Sequence, residues 1–186
     1  MNNEIEYLDQ SESESIGITF VLSGDGKGKT AAAIGMAIRA AGWNIPLTII
    51  QLMKKRTYGE LLILENLGEK FEYFQMGRET HVVKGNPTDE DIEMAHRALK
   101  MAREIMKSRQ SDMIILDEVI TAMQYELITE QDILDLMKMK PPFLHLVLTG
   151  RGVTPAIIDA ADCVTIMEKT KHHFDKGIPA QKGIEF

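Results

Sequence analysis

The sequence predicts an α/β fold, a mostly parallel sheet with helices on both faces. Short runs that are almost wholly apolar, too short to be helices, alternate along the chain with segments of helical spacing; strands buried on both sides read this way. The first such run opens directly into a glycine-rich turn followed by an apolar helix. The 186 residues, 44% of them hydrophobic, suit one domain with a sizeable core and are too few for two ordinary ones.

Residues 1–16 are polar, acidic and low in complexity, which predicts a flexible N-terminal arm ahead of a single α/β domain over 17–186. Ile18 to Leu22 is β-branched or aromatic at most positions and reads as a buried strand. Ala31 to Ala41, rich in Ala, Ile and Met on every face, reads as a helix packed inside the domain. Further strands are expected at Leu47–Met53, Phe71–Met76, Met113–Leu116, Phe143–Leu148 and Val164–Met167. The clearest helix starts at Thr88, an N-cap residue followed by Asp89, Glu90 and Asp91, whose charge suits the positive helix end. Ile92, Ala95, Leu99, Ala102 and Met106 then form one apolar stripe. Shorter helices are expected over 60–67, 119–127, 130–137 and 155–160. Trp43 reads as a packing residue and the twelve methionines as core fillers.

Ser23-Gly24-Asp25-Gly26-Lys27-Gly28-Lys29-Thr30 carries the chemistry. Between a strand and a helix, glycines let the backbone close around phosphate oxygens, and the helix start favours negative charge. Lys29 then supplies positive charge to the phosphates and Thr30 a hydroxyl ligand for Mg²⁺. Ser23 stands where the usual G-x-x-x-x-G-K-[ST] pattern has its first glycine, a replacement that requires a negative φ there. In a parallel sheet the ligand sits at the carboxyl ends of the strands, so residues just after each apolar run are candidates. Asp117 and Glu118 follow Leu116, as expected for carboxylates that hold Mg²⁺ directly or through water; an Asp-Glu pair also suits a helix start. Arg151, between Gly150 and Gly152, follows the 143–148 run, where its fork could meet oxyanions or simply charge a surface turn.

The net charge of −7 argues against a broad nucleic-acid footprint, which needs a basic face. One cysteine, Cys163, forms no intrachain disulfide; it reads as a small buried hydrophobe, in a protein of the reducing cytoplasm. No stretch approaches a transmembrane span, so no membrane partner is expected.

These residues resemble the P-loop ATP:corrinoid adenosyltransferases. The likeness rests on Gly24 to Thr30, Arg39-Ala40-Ala41-Gly42, Leu116-Asp117-Glu118, Thr149-Gly150-Arg151-Gly152, Ala161-Asp162, Lys171-His172 and the tail Gly177 to Phe186. It implies a RecA-like nucleotide fold and a homodimer that binds ATP with Mg²⁺ and a reduced corrinoid. The implied reaction moves the 5′-deoxyadenosyl group to cobalt and releases triphosphate, with a flavoprotein as electron donor. It further implies catalytic roles for Lys29, Thr30 and Glu118, and metal contact by Thr30, Asp117 and Glu118. Nucleotide or substrate contact falls to Gly24, Asp25, Gly26, Lys27, Gly28, Lys29, Thr30, Arg151, Lys171 and His172. One segment departs from the pattern. Where the family has glycine-phenylalanine-threonine-tryptophan, with aromatics that fill the space beneath the corrin, this chain reads Gly77-Arg78-Glu79-Thr80-His81-Val82. That departure keeps open an alternative, a nucleotide-gated corrinoid- or partner-binding protein with slow ATP hydrolysis.

Overall fold

The computed structural model describes residues 16–64 and 70–185. The N-terminal arm up to residue 15, the last part of the helix expected over 60–67, and Phe186 lie outside the described residues.

Six strands, β1 (Thr19–Ser23), β2 (Leu47–Leu52), β3 (Phe71–Met76), β4 (Met113–Asp117), β5 (His145–Thr149) and β6 (Cys163–Ile166), form one sheet in the order β3-β2-β4-β5-β1-β6. Every pairing between them is parallel, so all six carboxyl ends face the same edge. The crossover from β1 to β2 passes over β5 and β4, which leaves Thr149 of β5 between the phosphate-loop strand and the strand that ends at Asp117.

The helices are α1 (Lys29–Gly42), α2 (Gly59–Leu64), α3 (Asp89–Ser108), α4 (Val119–Gln124), α5 (Glu130–Met139) and α6 (Pro155–Ala160). Strand alternation divides the core into two layers. In β4, Met113 and Ile115 pack with Ala33, Ile34, Ala37 and Ala40 of α1, whereas Ile114 and Leu116 pack with Leu99 of α3, Ile120 of α4 and Ile133 of α5. Both faces are therefore covered, as the near-continuous apolar strands require.

Caps set where the helices begin. Thr88 accepts from the Asp91 N–H while the Asp91 side chain accepts from the Thr88 N–H, a reciprocal pair that satisfies two otherwise orphaned donors. Thr129 and Asp132 repeat it on α5, and Thr154 precedes Pro155 on α6. The expected stripe on α3 is buried at Ala95, Leu99, Ala102 and Met106.

Two expectations fail for positional reasons. Trp43 caps the C-terminus of α1 and is 79% exposed, so it is not a packing residue. Cys163 is exposed, because β6 is the edge strand, with three of its four residues open to solvent.

Candidate active site

The loop from β1 to α1 turns through left-handed backbone at Gly24 (φ 104°) and Gly28 (φ 108°). A Cβ on Gly24 would lie 2.4 Å from the Met167 carbonyl oxygen, and one on Gly26 2.7 Å from that of Glu168. The extra glycines thus stand where the loop presses against the chain leaving β6, and the Gly26 N–H donates to the Met167 carbonyl at 2.7 Å. Ser23 keeps its place in β1 without positive φ, and its buried hydroxyl has no hydrogen-bond partner among the described residues. No side chain caps α1 at Gly28, so its first N–H groups are left for an anion. Lys29 Nζ crosses its own loop, donating to the carbonyls of Gly24 (2.7 Å) and Gly26 (2.6 Å). Burial first, and then the positive charge of Arg151, push the Lys29 pKa below its ordinary value. An incoming polyanion relieves both pressures.

Asp117 ends β4 and is 1% exposed. Its Oδ1 accepts from the hydroxyls of Thr30 (2.9 Å) and Thr149 (2.6 Å), and its Oδ2 from Gln51 Nε2 (2.8 Å) and Lys54 Nζ (3.0 Å). Burial pushes this carboxyl upward, but the charge of Lys54 and the hydrogen bonds of Thr149 and Gln51 outweigh it and hold the pKa below the carboxylate range. The Tyr73 hydroxyl donates to Gln51 Oε1, which fixes the amide that faces Asp117. Glu118 adopts left-handed backbone (φ 65°), with its N–H donating to the Thr149 hydroxyl at 2.9 Å and its Oε2 accepting from Thr121.

This donor set fits Mg²⁺. Thr30 spends its proton on Asp117 and keeps its lone pairs, and Glu118 Oε1 is a second hard oxygen. Asp117 already accepts four hydrogen bonds, one of them from the Thr30 hydroxyl, so its contact with such an ion would run through water. Among the described residues no group of three or more His, Cys, Asp or Glu is disposed to hold a metal. Mg²⁺ is usually held by one or two protein oxygens together with water and phosphate oxygens, a mode that needs no such group.

A cavity of about 580 Å³ opens at this edge of the sheet. Asp25, Lys54, Arg78, Glu118 and Arg151, which follow β1, β2, β3, β4 and β5 respectively, line it. Arg151 is presented by Gly150 (φ 141°) and Gly152 (φ 76°), and its N–H donates to the Thr121 hydroxyl at 3.0 Å. Thr80 and His81, from the segment that departs from the family pattern, also line the cavity.

The structure thus gathers Asp25, Lys29, Thr30, Asp117, Glu118 and Arg151 around one site. Lys27, Lys171 and His172 are placed differently. Lys27 turns to the C-terminal tail and donates to Glu185 Oε1, which lies 3.3 Å from His173 Nε2. Lys171 is exposed, His172 stacks on His173 (4.5 Å between ring centres), and neither lines the cavity. Three residues escaped the sequence reading: Lys54, Gln51 and Tyr73. Lys54 directly follows the 47–53 run, so the strand-end rule reaches it, and Gln51 is a polar residue inside a wholly buried strand.

The model of the family described as ATP:corrinoid adenosyltransferase BtuR/CobO/CobP matches residues 15–186. The chain belongs to this family. A corrinoid adenosyltransferase of Pseudomonas aeruginosa is 35% identical over 182 residues, covering 97% of this chain and 89% of that protein. One from Sinorhizobium sp is 33% identical over 184 residues (97% and 86%), and corrinoid adenosyltransferase CobA of Salmonella typhimurium is 32% identical over 174 residues (93% and 87%). With adenosyltransferase relatives along most of the chain, the alternative of a nucleotide-gated binding protein is not favoured. No helix among the described residues is long and apolar enough to cross a membrane.

Proposed function

We propose that this chain transfers the 5′-deoxyadenosyl group of ATP to the cobalt of a reduced corrinoid and releases triphosphate. The observation that carries the reading is the convergence of Asp25 of the phosphate loop, Glu118 and Arg151 on one cavity, with Asp117 tied to Thr30 and Lys54 behind it, in a chain of the adenosyltransferase family.

The nucleophile comes with the substrate. Co(I) donates an electron pair to C5′ of ATP, a cobalt–carbon bond forms, and the C5′–O bond breaks with its pair leaving on triphosphate. No side chain need be activated for attack, so the protein's tasks are alignment and stabilisation of the leaving group. Lys29, once drawn off the Gly24 and Gly26 carbonyls, and Arg151 supply fixed positive charge to the departing oxygens. Gly24, Gly26 and Gly28 shape the loop, and Asp25 stands on the cavity wall. Thr30, Asp117 and Glu118 would hold Mg²⁺, Asp117 through water, and the ion would supply positive charge to the triphosphate. Lys27, once released from Glu185, would contact the nucleotide, and Lys171 and His172 would contact substrate from the turn after β6.

The chain acts as a homodimer with one α/β domain over 17–186, and exposed Trp43 offers apolar surface for a second copy. A flavoprotein delivers the electron that makes Co(I), and the single thiol suits the cytoplasm.

The test mixes protein, MgATP and chemically reduced corrinoid and follows the visible spectrum for a light-sensitive cobalt–carbon bond. Wild-type protein forms it with one triphosphate per turnover, and Lys29→Ala lowers the rate at least ~100-fold. Orthophosphate released in step with turnover would sink the proposal.

A further inference from the structure

The acidic pair already has a cation of its own. Lys54 follows left-handed Met53 (φ 60°), and its backbone is so closely packed that a Cβ on Gly77 would lie 2.3 Å from its nitrogen. The side chain is 19% exposed and passes the Tyr58 ring at 5.4 Å, which leaves Nζ 3.0 Å from Asp117 Oδ2 and 3.7 Å from Glu118 Oε1. Among the described residues no other cationic side chain forms an ion pair with either carboxylate.

We propose that Lys54 is a positioning residue that stops the Asp117–Glu118 pair from binding a free divalent cation, so that the metal enters only together with ATP. The inference deepens the metal site of the proposed function and rests on it. An ammonium between two carboxylates offsets about one of their two negative charges and repels a divalent ion brought within a few ångströms. The cavity wall is already net positive without any metal, since Lys54, Lys55, Arg56, Arg78, Lys84 and Arg151 outnumber its carboxylates Asp25, Glu79 and Glu118. A divalent ion alone would add to that excess. A triphosphate brings more negative charge than the ion brings positive, so the two together are accepted. The protein gains an order of assembly: no metal settles on the carboxylates ahead of the nucleotide, where it would shield Glu118 and block the ammonium from the phosphates.

Mn²⁺ is the probe, and the readout is the electron paramagnetic resonance signal of free Mn²⁺, recorded with and without ATP and with no corrinoid present. Wild-type protein is expected to bind Mn²⁺ weakly without ATP and tightly with it. Lys54→Met is expected to bind Mn²⁺ alone at least about tenfold more tightly, with a smaller gain on adding ATP, while Lys54→Arg behaves as wild type. Lys54→Gln, which keeps a donor to Asp117 without the charge, gives the same reading if the methionine variant does not fold. Equal Mn²⁺ affinity of wild type and neutral variants without ATP, where both bind it with ATP, overturns this inference alone. Failure of either protein to hold Mn²⁺ even with ATP removes the metal site and this inference with it.

Discussion

The guanidinium fork of Arg78 meets both carboxylate oxygens of Asp91 at 2.7 Å, and Asp91 Oδ2 also accepts from the Thr88 N–H (3.0 Å) and hydroxyl (2.7 Å). One buried carboxylate therefore ties the loop after β3 to the start of α3. Burial opposes the charge on Asp91, yet the hydrogen bonds from Arg78 and Thr88 hold its pKa below the ordinary value. Arg78 is committed to this anchor, so the segment cannot be returned to the family's aromatic pattern through that position. Arg78→Phe is expected to lower the thermal midpoint, and Arg78→Lys to recover only part of the loss, because an ammonium cannot reproduce the paired geometry. Thr80→Trp, on the cavity wall and outside the anchor, is expected to leave the midpoint unchanged while raising activity from Co(II) plus a reductase. Calorimetry and the spectral assay separate the two effects, and equal midpoints for wild type and Arg78→Phe would refute the anchoring role.

At the level of elements, β1 and β5 are fastened at the end of the sheet remote from the cavity by a group that loses its role in acid. His145 Nδ1 accepts from the Ile18 N–H at 3.2 Å, and Lys140 Nζ donates to the carbonyls of Gly17 and Leu144 at 2.9 Å each. Burial, then the charge of Lys140, push the imidazole below its ordinary 6.5, with Asp112 acting the other way. The unfolded chain takes up this proton at a higher pH than the folded one. The contribution is therefore complete above the ordinary value and is lost as pH falls through the window beneath it. Thermal midpoints measured from about pH 8 to about pH 5 should stay level and then decline in wild type. His145→Asn should start lower and decline less, and identical slopes would exclude His145 as the source. Such fastenings between distant segments leave no mark in the sequence, whereas helix starts do. Thr88 with its three acidic followers, and Pro155 after Thr154, give their positions away because caps and first turns are local chemistry.

For the whole molecule, the parallel sheet brings every strand end to one edge, which is why a rule about residues after apolar runs found the phosphate loop, Asp117, Glu118 and Arg151. Strand order is not written locally, and it governs what the rule could not give. Placing β2 beside β4 sets Gln51 opposite Asp117 and brings Lys54 onto the same carboxylate. Placing β6 at the edge exposes Cys163. The same geometry puts one of the left-handed non-glycine residues at the site itself. Glu118 holds a backbone shape that glycine or asparagine adopts more readily, kept there by Thr149 and Thr121 from the adjoining elements. Glu118→Asn should melt no lower than wild type and lose most adenosyl transfer; a clearly lower melting temperature would show that the shape carries no tension. Laboratory evolution for heat resistance alone would then discard this carboxylate early, and a thermally hardened descendant would be a sturdier but idle protein.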